Sequence, residues 1–249
     1  MTTSASTNFS VTRDNLISLA CQQVGLIGEG ETPSANLVTE AALLLNMLVK
    51  TRMADGMPLW ALKRGYLLPF PKSSSISIGG SVQAVSTYVT TTLATAAVSG
   101  ATTISVSSAT GIASTYAIGI WQDDNTVLWT TVNGAPSGTT ITLTAPLTAD
   151  VNTSSRVWVY QTANRIGRPL RIVQANVENI ATGISRPVRQ VSMQQYYDLG
   201  NRTTASTPNQ FYLDVQLTTA DFYIYPRMQT INEYFSISYH RPFEDFDTA

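Results

Sequence analysis

Apolar positions near the start of the chain recur with a helical period. Leu16, Ile17, Ala20, Cys21 and Val24 fall on one face at 3.6-residue spacing. Thr12 is placed to accept a first-turn amide, Asp14 puts a negative charge at a helix start, and Gly25 offers a stop. After the link Gly28-Glu29-Gly30-Glu31, Thr32-Pro33 supplies an N-cap with proline at the first helical position. Val38, Ala41, Ala42, Leu44, Leu45, Leu48, Val49 and Met53, with the stem of Arg52, then form a wide apolar stripe ended by Gly56 and Pro58. A helix of about 20 residues is about 30 Å long. A stripe that wide is expected to cover the first helix and a sheet together.

Further along, the period drops to two. Thr103 to Val106 and Thr140 to Thr144 alternate apolar and hydroxyl residues as half-buried strands do, and each follows a Ser-Gly, which suggests a weak internal repeat. Ala117 to Gln122 and Thr126 to Val132 flank Asp123-Asp124-Asn125 and read as a hairpin, and Val157 to Tyr160 closes the set. Later, Pro169 to Val173 and Val188 to Val191 look like strands, and Ser192 caps a helical turn over Met193 to Leu199. Phe211 to Val215, Phe222 to Tyr225 and Tyr234 to Tyr239 then read as a meander.

Charge placement divides the same chain into three zones. Residues 1–72 hold all three lysines (Lys50, Lys63, Lys72) and read as helical. Residues 73–164 carry only Asp123, Asp124, Asp150 and Arg156 as charges, and residues 165–249 return to ordinary charge with arginine as the only strong base. The expected architecture is α+β. An N-terminal antiparallel helical hairpin (1–72) packs on a β-sandwich-like meander (165–249), with a small all-β barrel or sandwich (73–164) inserted between them. The inserted module is polar and is expected to decorate the outside of an assembly or touch its next component.

Composition narrows the function. The chain has 249 residues, enough for a substantial core, but only 12% are charged against a usual share of about 25%. Ser and Thr fill the deficit, and no run of about 18 apolar residues exists to span a membrane. A net charge of -1 argues against a dedicated nucleic-acid binder. The single Cys21 excludes an intramolecular disulfide and a cysteine-based zinc knuckle. No secretory signal opens the sequence, so a cytoplasm-like site of synthesis is expected.

Catalytic patterns are scarce. The one histidine, His240, reads as a strand-end residue satisfied by a neighbour, and neither a Gly-x-Ser-x-Gly elbow nor a P-loop occurs. Glu29, Glu31 and Asp123 are the candidate acids of an alternative reading, a cell-wall glycan hydrolase, yet they sit in predicted solvated turns. Asp123-Asp124-Asn125 lacks the spaced oxygen ligands of a calcium loop. A further alternative is a carbohydrate-binding module with Trp121, Trp129 or Trp158 as stacking platforms. No cofactor or metal is expected.

Contact chemistry is richer. Arg165, Arg168 and Arg171 recur every three residues, and Arg186 and Arg189 flank Pro187. They read either as a basic rim facing passing DNA or as partners of Glu178, Asp198 or Asp214 across subunits. Adjacent aromatics on a strand point to opposite faces, so of pairs such as Tyr196-Tyr197, Phe211-Tyr212 and Phe222-Tyr223 one member is expected outward, where it buries well against protein. Phe243 and Phe246, in the acidic C-terminal stretch, are candidate anchors for a partner groove.

Several of these segments resemble one family. Thr12-Arg13-Asp14-Asn15-Leu16-Ile17, Val24-Gly25-Leu26, Gly30-Glu31-Thr32-Pro33-Ser34 and Gly56-Met57-Pro58-Leu59-Trp60 look like the opening of the head-to-tail adaptor proteins of short-tailed phages (the tail tubular, gatekeeper or tail accessory type). Arg168-Pro169-Leu170-Arg171-Ile172, the Val191 to Tyr197 segment, Thr207 to Tyr212, Tyr223-Ile224-Tyr225-Pro226 and Tyr239-His240-Arg241-Pro242-Phe243 extend the resemblance. It implies a non-catalytic virion protein that forms a ring of twelve copies docked on the portal, continues the DNA channel and meets a tail nozzle or tail tube protein. Contact with passing DNA would be transient and non-specific, and no membrane would be involved. A near-neutral wall suits that role, because many phosphate contacts would grip the DNA.

Overall fold

The computed structural model describes residues 11–55 and 61–241. Phe243 and Phe246 lie outside them. The described residues fall into two compact units, a helical one ending near Ala61 and a β-rich one from Leu62 onward.

The helical unit contains α1 (Arg13–Gln23) and α2 (Ala35–Ala54). Thr12 caps α1 by accepting the Asn15 amide at 3.2 Å. Gly25 follows its end at φ +76, a left-handed position that glycine takes without a Cβ penalty. The cap of α2 is Ser34, whose hydroxyl accepts the Leu37 amide at 3.4 Å, rather than Thr32. Ile17, Cys21 and Ala42 are buried together, with Ile27, Leu37, Val38 and Ala41 partly covered. Little else is buried: Leu16 and Val24 on α1's side and Leu44 and Leu48 on α2 are all exposed.

The β-rich unit opens with β1 (Ala61–Leu67), β2 (Ser75–Ile78) and β3 (Ala84–Val85). Next come β4 (Val89–Thr92), β5 (Thr103–Ser105), β6 (Ala117–Trp121), β7 (Val127–Thr131), β8 (Thr140–Thr142) and β9 (Arg156–Tyr160). The last part holds β10 (Arg171–Asn179), β11 (Ser185–Pro187), β12 (Arg189–Gln190), α3 (Met193–Tyr197) and β13 (Ala205–Ser206). It ends with β14 (Gln210–Val215), β15 (Ala220–Tyr225), β16 (Arg227–Met228) and β17 (Glu233–Arg241).

Two sheets enclose the main core. One has the order β11-β10-β17-β1-β3 and the other β12-β14-β15-β2. Burial alternates along β15 and β17, so Phe222 and Ile224 from one sheet meet Phe235, Ile237 and Tyr239 from the other. The terminal strands therefore do not form one meander: β14 and β15 pair with each other, while β17 crosses to pair with β10 over eight register positions. β1 lies inside the stretch that reads as helical, and its Lys-Arg pair masks a strand whose Tyr66 and Leu67 pair with Val85 and Ala84.

Strands β4 to β9 pair only among themselves, as the sheet β4-β9-β6-β7 and the ribbon β5-β8. The two segments that read as a repeat are partners in that ribbon, with Ile104 opposite Ile141. The chain enters and leaves this zone at one place, where the Ser86 amide donates to the Asn164 carbonyl at 2.7 Å. An aromatic seam then ties the zone to the sandwich: Trp158, Tyr160 and Ala117 pack with Leu68, Val85 and Ile231.

The α+β expectation is thereby corrected. The described residues are mostly β, with 38% in strands spread over five sheets and 17% in helices, and they are not a helical hairpin packed on a meander. Helical periodicity marks which face of a helix is apolar but not what covers it, and short strands in Thr/Ser-rich sequence carry a weak signal. No described helix is long and apolar enough to cross a membrane.

Candidate functional site

Three surface features hold the residues that sequence reasoning singled out. The first is the apolar face of the helical unit. Leu43, Leu44, Met47 and Leu48 sit at i, i+1, i+4 and i+5 on α2 and form one continuous patch, each more than half exposed at 62, 64, 58 and 54%. Leu16 and Leu19 on α1 are also exposed. Leu43 and Met47 were not part of the expected stripe.

The second is a tyrosine cluster on the outer face of the β14–β15 pair. Tyr212 and Tyr223 face each other in register and stack at 5.8 Å. α3 lays Tyr196 over them, 5.5 Å from Tyr223, because a capping box between Ser192 and Gln195 fixes its first turn. Tyr196 is buried and Tyr197 is exposed, meeting edge to face at 5.6 Å. The Arg202 guanidinium lies 5.0 Å from the Tyr197 ring, a cation–π contact. Burial raises the pKa of Tyr196, Tyr212 and Tyr223, so their phenols stay neutral and act as hydrogen-bonding, apolar contact groups. Arg202 was missed by sequence reasoning, whereas Tyr212 and Tyr223 were expected as outward members of aromatic pairs, though not as neighbours of Tyr196. Only the pairing register brings them to Tyr196.

The third is the arginine set, which the fold disperses. Arg171 and Arg186 stand on β10 and β11, Arg189 on β12 in the other sheet, and Arg165 and Arg168 on the connector before β10. Arg168 donates to the Gln216 carbonyl at 2.9 Å, and the Arg165 charge partly offsets the burial that raises the pKa of the Tyr160 phenol, which donates to the Val82 carbonyl. None of the five forms an ion pair within the described residues. Glu178 instead accepts the Tyr234 hydroxyl, and Asp214 accepts the Gln216 side-chain amide.

Arg171 also donates through Nε to His240 Nδ1 at 3.0 Å. Burial first, and the Arg171 charge second, lower the His240 pKa below its ordinary 6.5. Nδ1 accepts a hydrogen bond there, so protonation would remove the acceptor. As pH falls through about 6.5, the unfolded chain takes up a proton that the folded chain refuses, and stability declines. Urea unfolding between pH 8 and pH 5 is expected to show this loss, and His240→Gln should flatten it. An identical slope in that variant would refute the assignment.

The candidate acids are poorly placed for glycan chemistry. Glu29, Glu31 and Asp123 are exposed. Glu31 accepts the Gly28 amide at 2.9 Å, and Asp123 holds the Asn152 side chain at 2.7 Å. An acid catalyst needs a carboxyl buried in an apolar pocket; Asp123 lines an open cavity with Ala97, Val98 and Val151 but is itself exposed. Nor do the tryptophans offer a stacking face as a set. Trp158 is fully buried, and the Trp129 ring lies over Gly119. Among the described residues, no group of three or more His, Cys, Asp or Glu side chains is arranged to hold a metal ion. Comparison with known protein families, with curated proteins and with solved structures finds no match to this chain.

Proposed function

We propose that this chain is a head-to-tail adaptor of a tailed phage virion. It forms a ring of twelve copies that joins the portal to the tail nozzle or tail tube and extends the DNA channel, without catalysis. The observation that carries this reading is the uncovered apolar patch Leu43-Leu44-Met47-Leu48 on α2. Such a face is covered by protein in the working state, and a sister copy presents the complementary leucines of α1. Fully burying one leucine stabilises an interface by about 1.5–3 kcal/mol before the costs of association. The tyrosine cluster with Arg202, and Arg186 and Arg189, which form no ion pair among the described residues, add polar-aromatic contacts of the kind enriched at protein interfaces. A net charge of -1 lets DNA pass such a ring without a strong phosphate grip.

Electron microscopy and mass spectrometry of complete particles test the reading. Many copies at the portal–tail junction are expected, and absence of the chain from the particle refutes it. In addition, Leu44→Asp with Leu48→Asp is expected to abolish ring formation on the portal while leaving the β-type circular dichroism intact. Rings forming as before would remove the patch from the interface.

A further inference from the structure

Two open cavities adjoin Tyr88. The first, of about 180 Å³, lies where the chain enters and leaves the β4–β9 zone, and Thr87, Tyr88, Tyr116, Gln161 and Asn164 line it. The second, of about 230 Å³, lies on the outer face of β10, β17 and β1, with Tyr66, Tyr234, Gln174, Asn176 and Glu178 among its walls. Tyr88 connects the two, because its ring meets Tyr66 at 5.2 Å and Tyr234 at 6.0 Å, both edge to face. Register sets the lining of the second. Gln174 pairs with Ser238, Asn176 with Ser236 and Glu178 with Tyr234, so alternation puts these polar groups opposite the buried Phe235 and Ile237. By the roughly 30 Å³ that each water occupies in the liquid, the cavities have room for about six and about eight waters, the scale of one sugar ring each.

The groups that line them are within reach of a ligand. Gln161 and Gln174 are exposed, and Tyr116 and Asn164 are half-buried. Tyr116 packs on the core of the β4–β9 zone and meets no other aromatic ring among the described residues. Glu178 accepts the Tyr234 hydroxyl through Oε2, and Gln174 donates to Asn176 at 3.4 Å. The first cavity has no charged residue, and in the second Arg64 balances Glu178. A groove without net charge selects neither phosphate nor a cation. Amides and hydroxyls set beside aromatic rings suit an uncharged sugar. A pyranose whose hydroxyls are all equatorial turns its C–H face to a ring, while the hydroxyls reach amides at the rim.

We propose that the two cavities form one groove for an uncharged oligosaccharide of gluco-configured pyranose rings. One sugar stacks on Tyr116 and bonds Gln161 and Asn164, and the next lies beyond Tyr88 against Gln174 and Asn176. No tryptophan takes part. The groove is complete within one chain, so its occupancy does not depend on assembly or on the adaptor reading.

Calorimetric titration of the full chain with cellotetraose and with tetra-N-acetylchitotetraose tests it. Each is compared with its disaccharide, and sorbitol serves as a polyol without a ring face. Saturable one-to-one binding of at least one tetrasaccharide is expected, tighter than its disaccharide, with none of sorbitol. Gln161→Ala and Gln174→Ala, at exposed positions in the two cavities, should each weaken affinity about two- to tenfold, the net worth of one hydrogen bond. Tyr116→Ala should lose binding that Tyr116→Phe retains, in chains that still melt cooperatively. The proposal is overturned by no saturable binding, by equal binding of sorbitol or of the disaccharide, or by unchanged affinity in either glutamine variant or in a folded Tyr116→Ala.

Discussion

Phe222→Ala is expected to lower the unfolding free energy by about 3–5 kcal/mol, the usual cost of emptying a core phenylalanine site. The side chain is fully buried and bridges the two sheets. Its ring lies 4.9 Å from Phe211 in the same sheet and 5.1 Å, edge to face, from Phe235 in the other. Deleting it removes both ring contacts and leaves a void that β-sheets on either side collapse into poorly. Since whole domains are stable by only about 5–15 kcal/mol, this loss is a large share. Urea unfolding should report a lower midpoint with the slope unchanged. Leu217→Ala, at a residue 90% exposed, is the control and is expected to stay within about 0.5 kcal/mol of the parent. Comparable losses at both positions would mean that the sandwich core is misplaced.

Gly119→Ala is the second large effect. Gly119 lies on β6, between β9 and β7, with Trp158 and Trp129 opposite it on the two sides. A Cβ there would sit 2.6 Å from the Trp129 ring, far inside contact distance. β6 cannot move away because it is hydrogen-bonded on both edges. The indole must swing off instead and give up its packing against Tyr160, now 6.1 Å between centroids. Overpacking of this kind costs about 1–3 kcal/mol. Trp129→Leu placed in the Gly119→Ala background should recover part of that loss, because the two residues share one clash. Additive costs from the two substitutions would show that the ring does not lie where the structure places it.

Local signals in the sequence were legible where a single turn or cap decided the outcome. Thr12 caps α1, Ser192 and Gln195 start α3, and Asp123-Asp124-Asn125 turns β6 into β7, with Asn125 at φ +66. Each depends on residues within a few positions of one another. β1 was not legible, because Lys63 and Arg64 imitate the charge of a helix, while the strand owes its existence to β17 and β3 on either side. The same holds for Glu233. Alternation sets it level with Phe235, but only pairing with β10 and the approach of Thr207 bury it.

The candidate contact residues divide along the same line. Tyr196 and Tyr197 were read with the strand pairs but lie on α3, and their partners Tyr212, Tyr223 and Arg202 come from β14, β15 and the loop after α3. Arg165, Arg168, Arg171, Arg186 and Arg189 were read as a basic rim or as partners of acidic residues across subunits. The strand order instead sends Arg189 to a different sheet from Arg171 and Arg186.

By itself, then, the chain's residue pattern determined the helices, several strands and the caps of α1 and α3, since these follow from periods and hydrogen bonds within one segment. Only the tertiary structure decided that most of the molecule is β, that its last strands divide between two sheets, and which polar groups become buried. Those outcomes rest on pairings between residues far apart in sequence, where register chooses the inward face and no local period records the choice.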